Sequence, residues 1–368
     1  MRRTAMPAIG ILGLVRIAAA DPWTVTMESG AEADTNVSRV ESEPRVAAAA
    51  GRLGARIDHD GRVLGGAYLI DVSGLARMVA SSQTRDENVM LYAGEARWLY
   101  PLAAPSLAAG IHVLAADSFG MLGGVGARTF RNLGADALLV LGHGDDIHLT
   151  LGVGGRDFWY KPSPSHEFDW RGPVANARFD AMLWQTPDKT QSLELAGTVG
   201  FEDRHYDSYA LYSCSPDETA EDPCTMDTTL RRRDRYQRAG VELKWTGHLV
   251  ATGGYQATVI DSNSFGQSLV RQRFMGSVTA ELFGAVFVTT TAVLQIDQYP
   301  DGILIDDLQH QEPTSLEEEN RSSLQILVTR KLSAAWSLEA RGAVWRDFGN
   351  GAASFRRELA YAGVVYSR

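Results

Sequence analysis

No stretch beyond residue 20 approaches the roughly 18 uninterrupted apolar residues of a membrane-spanning helix. Mean hydropathy is only −0.15. Positive charge is not in excess: 35 Lys and Arg stand against 45 Asp and Glu, a formal net charge of −10. That balance argues against nucleic acid as a partner. Internal repeats of 20–50 residues, the mark of propellers and solenoids, are missing. So is a G-x-S-x-G elbow. The glycine-rich DSFGMLGGVGAR lacks the lysine of a phosphate-binding loop. Cysteine is scarce, with two residues in 368, whereas glycine reaches 36. Length alone permits one large or two ordinary domains.

The first twenty residues stand apart. MRRTAMPAIGILGLVRIAAA carries Arg2 and Arg3, an apolar segment, and then Ala18, Ala19 and Ala20. This is the layout of a secretory signal peptide, with cleavage expected after Ala20. No cysteine follows the site, so lipid attachment there is not expected. Residues 1–20 are read as the signal and residues 21–368 as the mature chain, which should leave the cytoplasm.

What fills the mature chain is alternation. In IHLTLGVGGRDF, Ile147, Leu149, Leu151 and Val153 take every second place, and His148, Thr150, Gly152, Gly154 and Arg156 fill the gaps. A period of two is a strand with one apolar and one polar face. A soluble strand usually ends after about five or six residues. This one continues for about ten, and the pattern recurs along the chain. Turns are read at 59–61, 101–105, 143–146, 186–191, 246–248, 283–284 and 333–335. Longer polar loops fall between them, the longest at 203–229.

The count is about sixteen strands, with every second connection short. Strands of about 9–11 residues with this asymmetry fit a transmembrane antiparallel up-and-down β-barrel, with short periplasmic turns and long extracellular loops. In hydrocarbon the backbone must pair internally, so strands can cross only as a closed sheet. The odd positions from Ile147 to Val153 should then face lipid. His148, Thr150 and Arg156 should face the lumen. Trp23, Trp98, Tyr100, Trp184, Trp245, Trp336 and Tyr366 fall at strand ends on the short-turn side, where an interfacial girdle belongs. Trp184 fits poorly, because it shares parity with Asn176, Arg178 and Asp180. The rival is a soluble all-β sandwich, whose strands are shorter.

The last segment, ELAYAGVVY, resembles the closing strand of bacterial outer-membrane barrels. Their assembly signal has a Gly followed three residues later by an aromatic, a spacing that Gly363 and Tyr366 match. The family usually ends in an aromatic residue, and this chain ends in Arg368. SGAEADTNVSRVE and FRRELAYAGVVY together resemble porin-like outer-membrane proteins of Gram-negative bacteria such as myxobacteria. The resemblance implies an outer-membrane location, surrounding lipid, and the barrel-assembly machinery as a partner. It names no solute and leaves the oligomeric state open.

Chemistry of a catalytic kind is sparse. His143, Asp145, Asp146 and His148 could be metal ligands, but HGDD reads first as a tight turn. His148 and Thr150 lack the third group of a hydrolase. Neither enzyme nor cofactor is expected. The lumen carries the candidate site: Arg97, Arg156, Arg178, Arg232, Arg238, Arg271, Arg273, Arg321, Arg341, Glu95, Glu242 and Glu281. Bases outnumber acids on that face, which predicts a mildly positive channel that passes anions slightly better than cations, with Arg271 and Arg273, and Arg232 and Arg238 close by in sequence, as its positive patch. Sixteen strands normally leave a water-filled lumen, so passive passage of small polar solutes is expected. An export barrel for a secreted polymer such as polysaccharide is the alternative, or a sealed structural or adhesive barrel. In CSPDETAEDPC, an oxidising compartment makes a disulfide of Cys214 and Cys224.

Overall fold

The computed structural model describes residues 23–39, 45–104, 106–122, 129–143, 146–162, 166–214, 225–300, 321–346 and 355–368. Among them, sixteen strands run in sequence order. The first eight are β1 (Thr24–Asp34), β2 (Ala48–Val63), β3 (Gly66–Val79), β4 (Val89–Pro101), β5 (Leu107–Gly120), β6 (Phe130–His143), β7 (Ile147–Tyr160) and β8 (Trp170–Gln185). The second eight are β9 (Ser192–Ser213), β10 (Thr225–Thr246), β11 (Leu249–Ser262), β12 (Leu269–Phe283), β13 (Val286–Gln298), β14 (Ser322–Lys331), β15 (Trp336–Arg346) and β16 (Arg356–Ser367). Each pairs antiparallel with its neighbours in sequence, and β1 pairs with β16, so the sheet closes into an up-and-down barrel. At the seam, Val25 donates to the Arg368 carbonyl at 2.8 Å and Arg368 donates back at 2.9 Å. Closure leaves no edge strand to be satisfied. The proposed signal peptide lies outside the described residues.

The alternation turns the usual soluble arrangement inside out. On β7, Val153 is 64% exposed and Leu151 37%, whereas His148, on the other face, is 4% exposed. The apolar row points outward and the polar row inward, on this strand and around the wall.

Three expectations are corrected. The turn read at 59–61 is strand: β2 continues to Val63, and the chain reverses at Leu64 and Gly65, with φ of 52° and 77°. Both central residues of such a hairpin take positive φ. Gly61 serves a different end, because a Cβ there would lie 2.8 Å from the Tyr68 hydroxyl. Tyr68 in turn bonds His59 at 2.8 Å. The loop read at 203–229 is mostly strand as well, since β9 reaches Ser213 and β10 begins at Thr225. There the outward row becomes charged, with Asp203 accepting from Arg233 Nε at 2.7 Å, and the apolar period disappears. Finally, β8 carries a bulge between Met182 and Trp184. The extra residue reverses the parity. Trp184 therefore sits outside, stacked on Trp245 at 5.6 Å and 6°. Trp98 with Tyr100, and Trp336 with Tyr366, also meet at the short-turn end.

Candidate functional site

The interior wall is the site, and the stretch around Gly152 explains how it is built. Gly134 of β6 lies opposite Arg156, and Gly154 of β7 lies opposite Asp136. A Cβ on Gly134 would come within 2.5 Å of the Arg156 Cδ, and one on Gly154 would meet the Ala135 carbonyl and the Asp136 carboxylate. Each glycine leaves a gap in which the opposite side chain lies flat. The result is a bidentate pair, with Arg156 Nη1 and Nη2 donating to the two Asp136 oxygens at 2.7 and 2.8 Å. Gly152 gives the same room to Asn176. A second such seat lies at the seam, where Gly30 and Gly363 face each other beneath the Tyr361 ring.

The predicted lining residues fall into two sets. Glu95, Arg178 and Arg238 keep about a third of their side chains exposed, as do Arg56 and Lys244, so water reaches the interior wall there. Arg178 bonds Asp180 at 2.6 Å and Arg238 lies 3.6 Å from Glu202. Arg97 stands opposite His112, and Glu242 opposite Gly254, on the same face. Glu281 sits exposed near the short-turn end of β12. Arg232 and Arg321 belong to the other set. Arg232 is 3% exposed, held by Asp234 and lying 4.2 Å over the Tyr206 ring. Arg321, buried just before β14, lies 4.0 Å over Phe355. Arg341 lies over Tyr361. These three brace the wall.

The expected positive centre is not what the wall carries. Arg271 donates to Asp297 at 2.9 and 2.7 Å, so its charge is answered, and Arg273 stands beside it opposite Gln256 and Gln295. Glu28, Glu32, Asp34, Asp58, Asp71, Asp136 and Asp297 also face inward, and sequence reasoning passed over all seven. It also missed Arg77, Arg204 and Arg357. Acids and bases on the described interior face stand close to balance. Their distribution is uneven: the wall from β11 to β14 is largely hydroxyl and amide, as in Thr252, Gln256, Ser277, Thr279, Thr289, Thr291 and Gln325.

The strongest pairing joins the seam. Asp34 of β1 accepts from Arg77 Nη2 at 2.6 Å and from Arg357 Nη2 at 2.7 Å. Arg77 also holds Glu32, and Arg52 reaches Glu32 at 3.8 Å and Glu28 at 3.2 Å. One run of alternating charge thus ties β16, β1, β2 and β3 together. His148 is buried beside Gly142, opposite Asp180. No group of three or more His, Cys, Asp or Glu among the described residues could hold a metal. Cys214 directly follows β9, and Cys224 lies outside the described residues.

No family model matches the chain, and no curated protein matches it. Among solved structures it is similar to Salmonella typhi OmpF in complex with daunomycin, at 8% identity and a TM-score of 0.48, over 94% of this chain and 97% of that one. A bacterial polysaccharide outer membrane secretin gives 6% and 0.46, over 95% and 99%. A loop-deletion form of OmpT, an outer membrane protein of Vibrio cholerae, gives 10% and 0.43, over 95% and 100%. Nothing in these matches bears on the likeness to myxobacterial proteins, and no solute or partner is taken from them.

Proposed function

We propose that the chain is an outer-membrane barrel through which small polar solutes pass passively. One observation carries this reading: a closed sheet exposes apolar side chains all around its outer face and keeps partly exposed charges on its inner face. The outer row would be costly in water and is at home in hydrocarbon. The aromatic pairs at the short-turn end fit a headgroup boundary. A sixteen-stranded barrel is wide enough to hold an aqueous channel. Gly363 and Tyr366 are proposed to be read by the barrel-assembly machinery. With acids and bases near balance, ionic selectivity should be weak.

The test has two arms. The mature protein should fractionate with outer membranes and run faster on detergent gels unboiled than boiled. Reconstituted in planar bilayers, it should give stepwise conductance. Recovery as a soluble periplasmic monomer would overturn the membrane reading. A membrane-inserted barrel with no conductance would overturn the channel reading alone, in favour of a sealed barrel.

Cys214 and Cys224 are proposed to close the connection between β9 and β10 outside the cell. A loop of this length should gain about 3 kcal/mol in the chain-entropy model, less any strain. Mass spectrometry without reductant should find the bridged peptide. Cys214→Ser should loosen the loop and leave the unboiled gel mobility unchanged, because strand pairing does not pass through the bridge. Alkylation of both thiols in the native protein would rule it out.

A further inference from the structure

We propose that His112 sets the ionic preference of the channel, and that this preference moves toward cations as the imidazole loses its proton. The inference rests on the channel reading above. His112 of β5 faces the interior between two carboxylates from the adjacent strands. Its Nδ1 lies 3.1 Å from Asp136 Oδ2 on β6, and its Nε2 lies 3.4 Å from Glu95 Oε2 on β4. A protonated ring donates to both, whereas a neutral ring has one N–H and can satisfy only one.

The surrounding charges make that proton count. Arg97 stands opposite His112 on β4. Arg156 of β7 holds Asp136. Asp71 of β3 stands opposite Glu95 and is held by Arg56 of β2, with Asp58 directly across from Asp71. With the ring charged, His112, Arg97, Arg156 and Arg56 balance Glu95, Asp136, Asp71 and Asp58. With the ring neutral, the acids are in excess by one. Glu95 is about a third exposed, so the change occurs where ions pass. A narrow low-dielectric wall focuses such a charge on a passing ion. Among the described side chains, the other interior imidazole is His148, which is buried away from the water-filled space. His59 stacks on Trp23 outside.

Reversal potentials in a salt gradient across planar bilayers provide the test. An imidazole titrates between about pH 5 and 8. The wild-type cation-to-anion permeability ratio should rise about twofold across that range. H112Q should lose more than half of that rise, and H112R should keep the low ratio at both ends. A rise kept by half or more in H112Q would assign the effect to the Asp58 and Asp71 carboxyls and overturn the proposal. If H112Q does not assemble, the wild-type titration still decides, since a flat profile, or a rise completed below pH 5, refutes it. No conductance at any pH would instead remove the channel reading on which the proposal stands.

Discussion

Asp34→Ala should lower the stability of the folded barrel by about 3–5 kcal/mol, the range for removing one partner of a fully buried ion pair. Asp34 is buried completely, and the two guanidiniums that share it are 5% and 1% exposed. Burying them is tolerable only because the carboxylate answers them both in charge and in hydrogen bonds. The Ala variant leaves two buried cations without the acceptor they share, at the seam between β1 and β16. The loss should appear as a lower temperature for the shift from the fast to the slow gel form, and as a lower denaturant midpoint in detergent. Glu194→Ala is the comparison, because its pair with Lys244 at 3.2 Å is about a quarter to two-fifths exposed and should be worth under about 1 kcal/mol. Equal effects from the two variants would mean that water reaches the seam and that its pairing is no stronger than a surface bridge.

The strand number and the facing of the strands were legible in the sequence because outward residues within the apolar band meet the same apolar requirement. One strand of alternation repeated around a barrel leaves a strong signal, as Ile147 to Val153 illustrate. Strand ends were less legible where that requirement lapses. Above the apolar band the outward row on β9 and β10 carries Asp203, His205, Arg233 and Arg235, and charged alternation reads as loop. The bulge at Leu183 was hidden because local sequence does not state register, although the misfit of Trp184 was its trace. Ion-pair partners depend on register too. Arg271 looked like a free base because Asp297 is 26 residues away. The first strand could have been read further: in TVTMESGAEAD, Glu28, Glu32 and Asp34 share the parity of Gly30 and so face the interior. Asp136 was hidden by register as well: the turn read at 143–146 sets it opposite Val153, whereas His143 pairs with Ile147 and Asp136 therefore with Gly154.

The glycines give a second large effect that composition alone would never locate. Gly154→Ala should damage the barrel, while Gly253→Ala should leave it unchanged, although both are mid-strand and the substitution is the same. Gly253 has open space where a Cβ would go. A methyl group on Gly154 would run into the Ala135 carbonyl and lie 2.7 Å from the Asp136 Cα. Strands β6 and β7 would have to part locally, and the seat of the Asp136–Arg156 pair would be lost with them. Overpacking of this kind costs about 1–3 kcal/mol, and disturbing a mostly buried ion pair adds to it. Neither penalty can be relieved by a side-chain rotation, because the obstacle is backbone. Gly253→Ala lacks any such collision and removes the backbone freedom of an unfolded glycine, so its effect should lie within about 0.5 kcal/mol of wild type or be slightly stabilising. Folding yield into detergent and the denaturant midpoint of both variants would separate the two cases. Equal tolerance at the two positions would mean that β6 and β7 are not as close at Gly154 as the geometry has them, and that the glycines of GVGG are there for some reason other than seating charges.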